Sequence, residues 1–144
     1  MKRNLIVLDE VPPSFPDLIG DGLAGFNAAS KGPSNYKDLA ISVGDTDDCA
    51  GGLIGYTAWG WLFVQWLWVA EHVRGQGYAS GLLVRAEQVA AERGCAAAWI
   101  DTFNPDAKRL YERFGYVVFG ELADFPAGHT RYFLQKRFGL SASS

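Results

Sequence analysis

Six consecutive residues, Arg74-Gly75-Gln76-Gly77-Tyr78-Ala79, carry the clearest chemical signal in the chain. They follow an apolar run and open an amphipathic stretch, so they read as a loop entering the N-terminus of a helix. Such a turn leaves successive backbone N–H groups unpaired and aimed at one spot, and the helix dipole adds positive potential there. Glycine at 75 and 77 removes the β-carbons that would keep a bulky anion off the backbone. Arg74 supplies a charged donor beside them. This is the chemistry of a diphosphate site. Two familiar nucleotide loops do not fit it. A P-loop needs Lys-Ser/Thr after its second glycine, where Tyr78-Ala79 stand. A Rossmann fingerprint would put its third glycine on Ser80, and Gly81 comes one residue late.

The elements that must hold this loop can be read from periodicity. Residues 4–9 suit a short strand, and 14–29 suit a helix, although Gly20, Gly22 and Gly25 weaken it. Residues 31–35 form a loop. Strands are predicted over 38–43, 53–59 and 61–69, with the turn 44–51 after the first and Gly60 between the other two. In 61–69, strict alternation sends Trp61, Phe63, Leu67 and Val69 one way and Leu62, Val64, Trp66 and Trp68 the other. Both sets are apolar, which predicts a central strand covered on both faces. From 75 to 93 the period becomes helical, with Leu82, Leu83, Ala86, Val89 and Ala90 in one stripe and Gly94 as the stop. Residues 96–103 read as a buried strand. Asn104 is placed to cap a short helix with Pro105 at its first position, carrying Leu110, Tyr111 and Phe114 and ending at Gly115. Strands over 116–122 and 130–137 close the chain around the loop 124–129.

Composition bounds the function. A chain of 144 residues, about half apolar and a fifth charged, fits one soluble globular domain. Its net charge of −3 argues against a nucleic-acid partner, which wants a basic face. Cys49 and Cys95 match no metal or redox spacing, and two histidines are too few for a zinc site, so no metal is expected. Both cysteines read as buried or partly buried thiols in a reducing compartment. The apolar run near the N-terminus is too short for a signal peptide, and no run reaches the ~20 residues of a membrane span. The expected class is a cytoplasmic, single-domain α/β protein over residues 1–140 with a flexible tail at 141–144, its mixed and mostly antiparallel sheet carrying helices on both faces.

Arg74 to Ala79 resembles the Arg/Gln-x-x-Gly-x-Ala/Gly signature of the GNAT superfamily of N-acetyltransferases. A second stretch, Asn104-Pro105-Asp106-Ala107-Lys108-Arg109-Leu110-Tyr111 with Phe114-Gly115-Tyr116, resembles that family's Asn-x-x-Ala-x-x-Leu/Phe-Tyr and its closing Gly-Phe/Tyr. The likeness covers residues 62–138; the first sixty residues, which shape the acceptor pocket in the family, carry no signature. The resemblance implies acetyl-coenzyme A as co-substrate and a splay between the fourth and fifth predicted strands. It places the pyrophosphate on the amides of Arg74, Gly75, Gln76, Gly77, Tyr78 and Ala79. The pantetheine arm would pair like an added strand with Leu67, Trp68 and Val69, and Asn104 would hold it by a side-chain hydrogen bond. Tyr111 matches the tyrosine near the coenzyme's sulfur, where a phenol of pKa about 10 can protonate the leaving thiolate. The implied acceptor is a small-molecule or peptide amine.

The general base stays open among Glu71, Asp101, His129 and a water chain. Glu71, three residues before Arg74, is expected to form a salt bridge with it. Trp59, Trp61, Trp66 and Trp68 read as core and sheet-packing groups, with an acceptor pocket or a dimer surface as the alternative for some. Lys108, Arg109 and Arg113 read as the solvated face of a short helix. Members of the family often form homodimers, and Phe119, Phe125, Tyr132 and Phe133 are candidates for that surface. The rival function is a coenzyme A-binding sensor or partner-binding module without catalysis, against which Tyr111 speaks. An acetyltransferase acting on protein or charged tRNA is a third, and the acidity of the chain disfavours tRNA.

Overall fold

The alternating apolar runs from residue 37 onward pair into one six-stranded sheet in the computed structural model, which describes residues 2–139. The predicted tail at 141–144 lies outside the described residues. The strands are β1 (Lys37–Ser42), β2 (Gly51–Ala58), β3 (Trp61–Val69), β4 (Ala97–Thr102), β5 (Val117–Ala123) and β6 (Thr130–Arg137), and they lie in the order β1-β2-β3-β4-β6-β5. Neighbours are antiparallel except β3 and β4, which run parallel. A parallel pair needs a crossover, and α2 (Tyr78–Glu92) supplies it; α3 (Pro105–Arg113) joins β4 to β5. The expected α/β class with a mixed, mostly antiparallel sheet is what the chain forms.

The core lies between this sheet and the apolar stripes of the two helices. Leu82, Leu83, Ala86 and Ala90 of α2 and Tyr111 of α3 are buried in one cluster with Leu62, Val64, Ala98, Ile100 and Leu134. Each leucine buried in this way contributes about 1.5–3 kcal/mol relative to exposure. Gly94, at φ 86, ends the run of α2 as expected. Glu87, half-buried on α2, is held from the chain's last third: Lys136 Nζ lies 2.8 Å from one oxygen, and Tyr116 donates to the other at 2.9 Å.

Strict alternation along β3 fails at one residue. The ladder to β2 runs Ile54↔Trp66 and then Gly55↔Val64, so Gln65 has no opposite number and forms a β-bulge. The bulge reverses the parity of the strand. Leu62 and Val64 before it and Val69 after it belong to the core cluster, with Leu67 partly buried against it, whereas Trp66 and Trp68 are 64% and 57% exposed. The expectation that both faces of the whole strand are covered, with these tryptophans in the core, is corrected accordingly. Gly55 makes the bulge possible, because a β-carbon there would fall 2.0 Å from the carbonyl oxygen of Phe63.

The chain divides after Ser34 into two compact units. The first holds α1 (Phe15–Lys31), entered through a turn in which Phe15 N–H donates to the Pro12 carbonyl at 3.0 Å and stopped at Gly32, φ 83. None of its side chains is buried. The strand expected over 4–9 is absent: Leu5 and Val7 are 100% and 90% exposed, and the run pairs with no strand of the sheet. A short apolar run makes a strand only when a neighbour completes the ladder. Cys49 is exposed rather than buried, and Cys95 is intermediate. No described helix is long and apolar enough to cross a membrane.

Candidate active site

The parallel pairing of β3 and β4 lasts four rungs, from Trp61↔Ala97 to Val64↔Ile100. There the bulge at Gln65 turns β3 away, and the two strands separate. Residues Trp66 to Val69 keep their ladder to β2 on one edge and have no strand partner on the other, where the Val69 carbonyl is taken by the Arg74 side chain. The splay leaves a gap of 580 Å³ inside the sheet. Leu67 and Trp68 line it from β3, Asp101 from β4, Asn104 and Tyr111 from the α3 segment, and Arg131 from β6.

Past the end of β3 the chain makes a 3-10 turn (Glu71–Val73) and reaches the glycine loop. Gly75 and Gly77 sit at φ 81 and 86, in the left-handed region that favours glycine. The first helical bond of α2 runs from Gly81 N–H to the Gly77 carbonyl at 2.9 Å, so the amides before it have no helical partner. No side chain caps this terminus and no acidic residue stands in its first turn. A cavity of 270 Å³ opens over it, lined by Val69, Arg74, Gly75, Gly77, Tyr78 and Ala79, together with Arg113 of α3. Of the predicted loop residues, Gln76 alone is exposed without lining this cavity.

Arg74 turns its Nε back to the Val69 carbonyl at 2.9 Å, and only its backbone N–H meets Glu71, at the carbonyl, 3.2 Å away. The expected Glu71–Arg74 salt bridge is therefore not formed; Arg74 staples its own loop to the end of β3. Lys108 and Arg109 are paired with Glu112 and Asp106 along α3. Arg113 is exposed, as expected of the solvated face, has no such partner among the described residues and also lines the cradle.

Asn104 caps α3, its Oδ1 accepting from Asp106 N–H at 2.8 Å, which leaves its side-chain amino group for the gap. About two turns on, Tyr111 is 5% exposed, and its hydroxyl has no hydrogen-bond partner among the described residues. Burial, with the nearby charge of Asp101 adding to it, pushes the phenol up to about 12. Tyr116, the neighbouring buried ring at 6.2 Å, spends its hydroxyl on Glu87 instead. Of the groups weighed as a base, Asp101 lines the gap, Glu71 lies in the exposed 3-10 turn, and His129 is exposed in the β5–β6 loop beside Phe103.

Sequence reasoning named neither Arg131 nor Phe103 as part of the site. Their signal was weak: a charged residue opening an apolar strand, and an aromatic one just past another. Arg131 donates to Asp101 at 2.8 Å across thirty residues of sequence.

The sequence model described as the acetyltransferase (GNAT) family matches residues 13–116. Acetyltransferase Atu2258 of Agrobacterium fabrum is 44% identical over 136 residues, covering 94% of this chain and 99% of that protein. Blasticidin-S acetyltransferase of Streptomyces morookaense is 39% identical over 96 residues, covering 66% of this chain and 71% of the other. A crystal structure from Agrobacterium tumefaciens superposes with a TM-score of 0.88 at 44% identity, over 94% of this chain and all of that one.

Proposed function

Because this chain belongs to the acetyltransferase (GNAT) family, we propose that it moves an acetyl group from acetyl-coenzyme A to the primary amine of a small molecule or peptide by direct attack. The observation that carries this reading is the continuity of the site. An uncapped glycine cradle opens at one end of β3, and a sheet gap with an unpartnered phenol lies alongside it.

The amides of the 74–79 loop and the first turn of α2 receive the diphosphate, with Arg113 adding charge. The free edge of β3 at Leu67, Trp68 and Val69 takes the pantetheine amides as a neighbouring strand would, and Asn104 offers its amino group to them. This leads the thioester into the gap between β3 and β4. The amine attacks the carbonyl carbon; the oxyanion is met by backbone N–H of the splayed strand; the C–S bond then breaks. Tyr111 gives its proton to the thiolate and recovers one from the new amide nitrogen. The burial that holds the phenol near 12 also raises the basicity of a thiolate in the same apolar gap, which keeps the transfer feasible. The relative that acts on blasticidin S supports a small-molecule acceptor.

The test is thiol release from acetyl-coenzyme A over a panel of polyamines, aminoglycosides, amino acids and peptides. Turnover with at least one amine is expected. Tight coenzyme binding with no turnover on any of them would replace this reading with a coenzyme sensor.

A further inference from the structure

Among the described residues, Asp101 and Arg131 are the charged side chains that line the gap. They are about a fifth exposed and joined by one hydrogen bond, from Arg131 Nη1 to Asp101 Oδ1 at 2.8 Å. Aromatic rings hold the guanidinium in place, with its carbon 4.0 Å from the centre of Phe125 and 5.1 Å from that of Phe103. Yet the pair is left half-satisfied. Arg131 Nε is the one buried side-chain polar atom of the described residues with no partner. Asp101 Oδ2 likewise makes no hydrogen bond within them, and it is not sealed from solvent.

The molecule supplies its own contrast. Glu87, comparably buried, has both oxygens answered by the chain, through Lys136 and Tyr116. That is how an ion pair with a purely structural role is completed. At Asp101 and Arg131 an acceptor oxygen and donor N–H groups stand side by side without partners, in a gap whose other lining is neutral. Nε itself is sealed from solvent, but Nη2 also makes no hydrogen bond within the described residues and is not sealed, so the open side of the guanidinium calls for an oxygen from outside the chain.

Their position in the sheet says which side that ligand uses. Ala98 and Ile100 of β4 are in the core under α2 and α3, so Asp101 alternates to the far face, one residue beyond the last rung shared with β3. The diphosphate cradle belongs to the α2 side. Carrier and acceptor thus have separate approaches to the same gap.

We propose that Asp101 and Arg131 together bind the acceptor, and that the acceptor is a zwitterion, an amine that also bears a carboxylate. Asp101 Oδ2 takes the ammonium, which gives one proton to solvent before the neutral amine attacks, and the guanidinium donors left open by the chain take the carboxylate. This rests on the acetyl-transfer reading above and names its substrate class: amino acids and molecules ending in an amino-acid-like group, in preference to plain amines.

The experiment compares free amino acids (lysine and β-alanine), their methyl esters and the matching amines without a carboxylate. It uses thiol release by the wild-type chain and by the Asp101→Asn, Arg131→Met and Arg131→Lys variants. Wild type is expected to favour the free acid over its ester by at least tenfold in kcat/KM. Arg131→Met loses that preference, Arg131→Lys keeps part of it, and Asp101→Asn raises KM for every amine, all with coenzyme affinity unchanged by calorimetry. An ester or plain amine used as well as the acid by the wild-type chain overturns the proposal, and this needs no variant to fold. If no amine releases thiol, the transfer reading falls by itself. The pair is then tested by calorimetry of acid against ester on the coenzyme-loaded protein, where equal affinities overturn it.

Discussion

Val64 and Ile100 face each other in the last rung that joins β3 to β4, and the next residue of β3, Gln65, is the bulge that ends the pairing. The gap therefore begins where the ladder to β2 slips by one residue. A parallel pair that ran its full length would have no opening for a carrier.

The bulge depends on Gly55, whose missing β-carbon leaves room for the Phe63 carbonyl. Gly55→Ala must push two backbones apart, and overpacking of this kind costs about 1–3 kcal/mol. We expect a lower denaturation midpoint together with weaker coenzyme binding, since the same shift moves the gap. A variant as stable as wild type by urea denaturation, with unchanged affinity, would separate the bulge from the site.

Tyr111→Phe should lower kcat by 10²-fold or more, the usual scale for a general acid, while coenzyme affinity stays within about twofold. It should also change the response to base. The Tyr111 phenol is raised from 10 to about 12, so its contribution to stability is whole below pH 10 and is lost as pH climbs through 12. Two pKa units correspond to about 3 kcal/mol. Urea unfolding at pH 8 and pH 11.5 should show a smaller loss for the phenylalanine variant than for wild type.

At Gly77 the constraint comes from the backbone, because a β-carbon would meet no atom of the described residues within 4 Å beyond its chain neighbours. An L side chain held at φ 86 costs about 1–2 kcal/mol. Gly77→Asp adds a carboxylate at the mouth of an anion cradle. Calorimetry should find coenzyme binding reduced at least 100-fold with the fold retained by circular dichroism; intact affinity would place the diphosphate elsewhere.

Arg113 is expected to carry charge that Arg74, turned back to Val69, supplies less freely. Arg113→Ala should weaken coenzyme binding about tenfold, the scale of one charge-assisted hydrogen bond, and flatten its salt dependence. Arg109→Ala, whose side chain is already paired with Asp106, is the control and should leave both unchanged. Equal behaviour of the two variants in titrations at low and high salt would remove Arg113 from the cradle.

What the chain determined by itself is what neighbouring residues can encode. The left-handed glycines at 75 and 77, the apolar stripe of α2 and the Asn104-Pro105 cap of α3 all follow from local backbone preference and periodicity. The α2 stripe and the α3 cap lie where residue types alone placed them. The acyl-transfer family was legible for the same reason, since its two motifs are each local. Tertiary structure decided the rest. Which way Trp66 and Trp68 point depends on a one-residue slip against β2. Whether 4–9 becomes a strand depends on a partner for its ladder. The meeting of Asp101 with Arg131 depends on β6 lying against β4. Each of these is a relation between strands far apart in sequence, set by which ladder hydrogen bonds can form at once, and no local preference carries it.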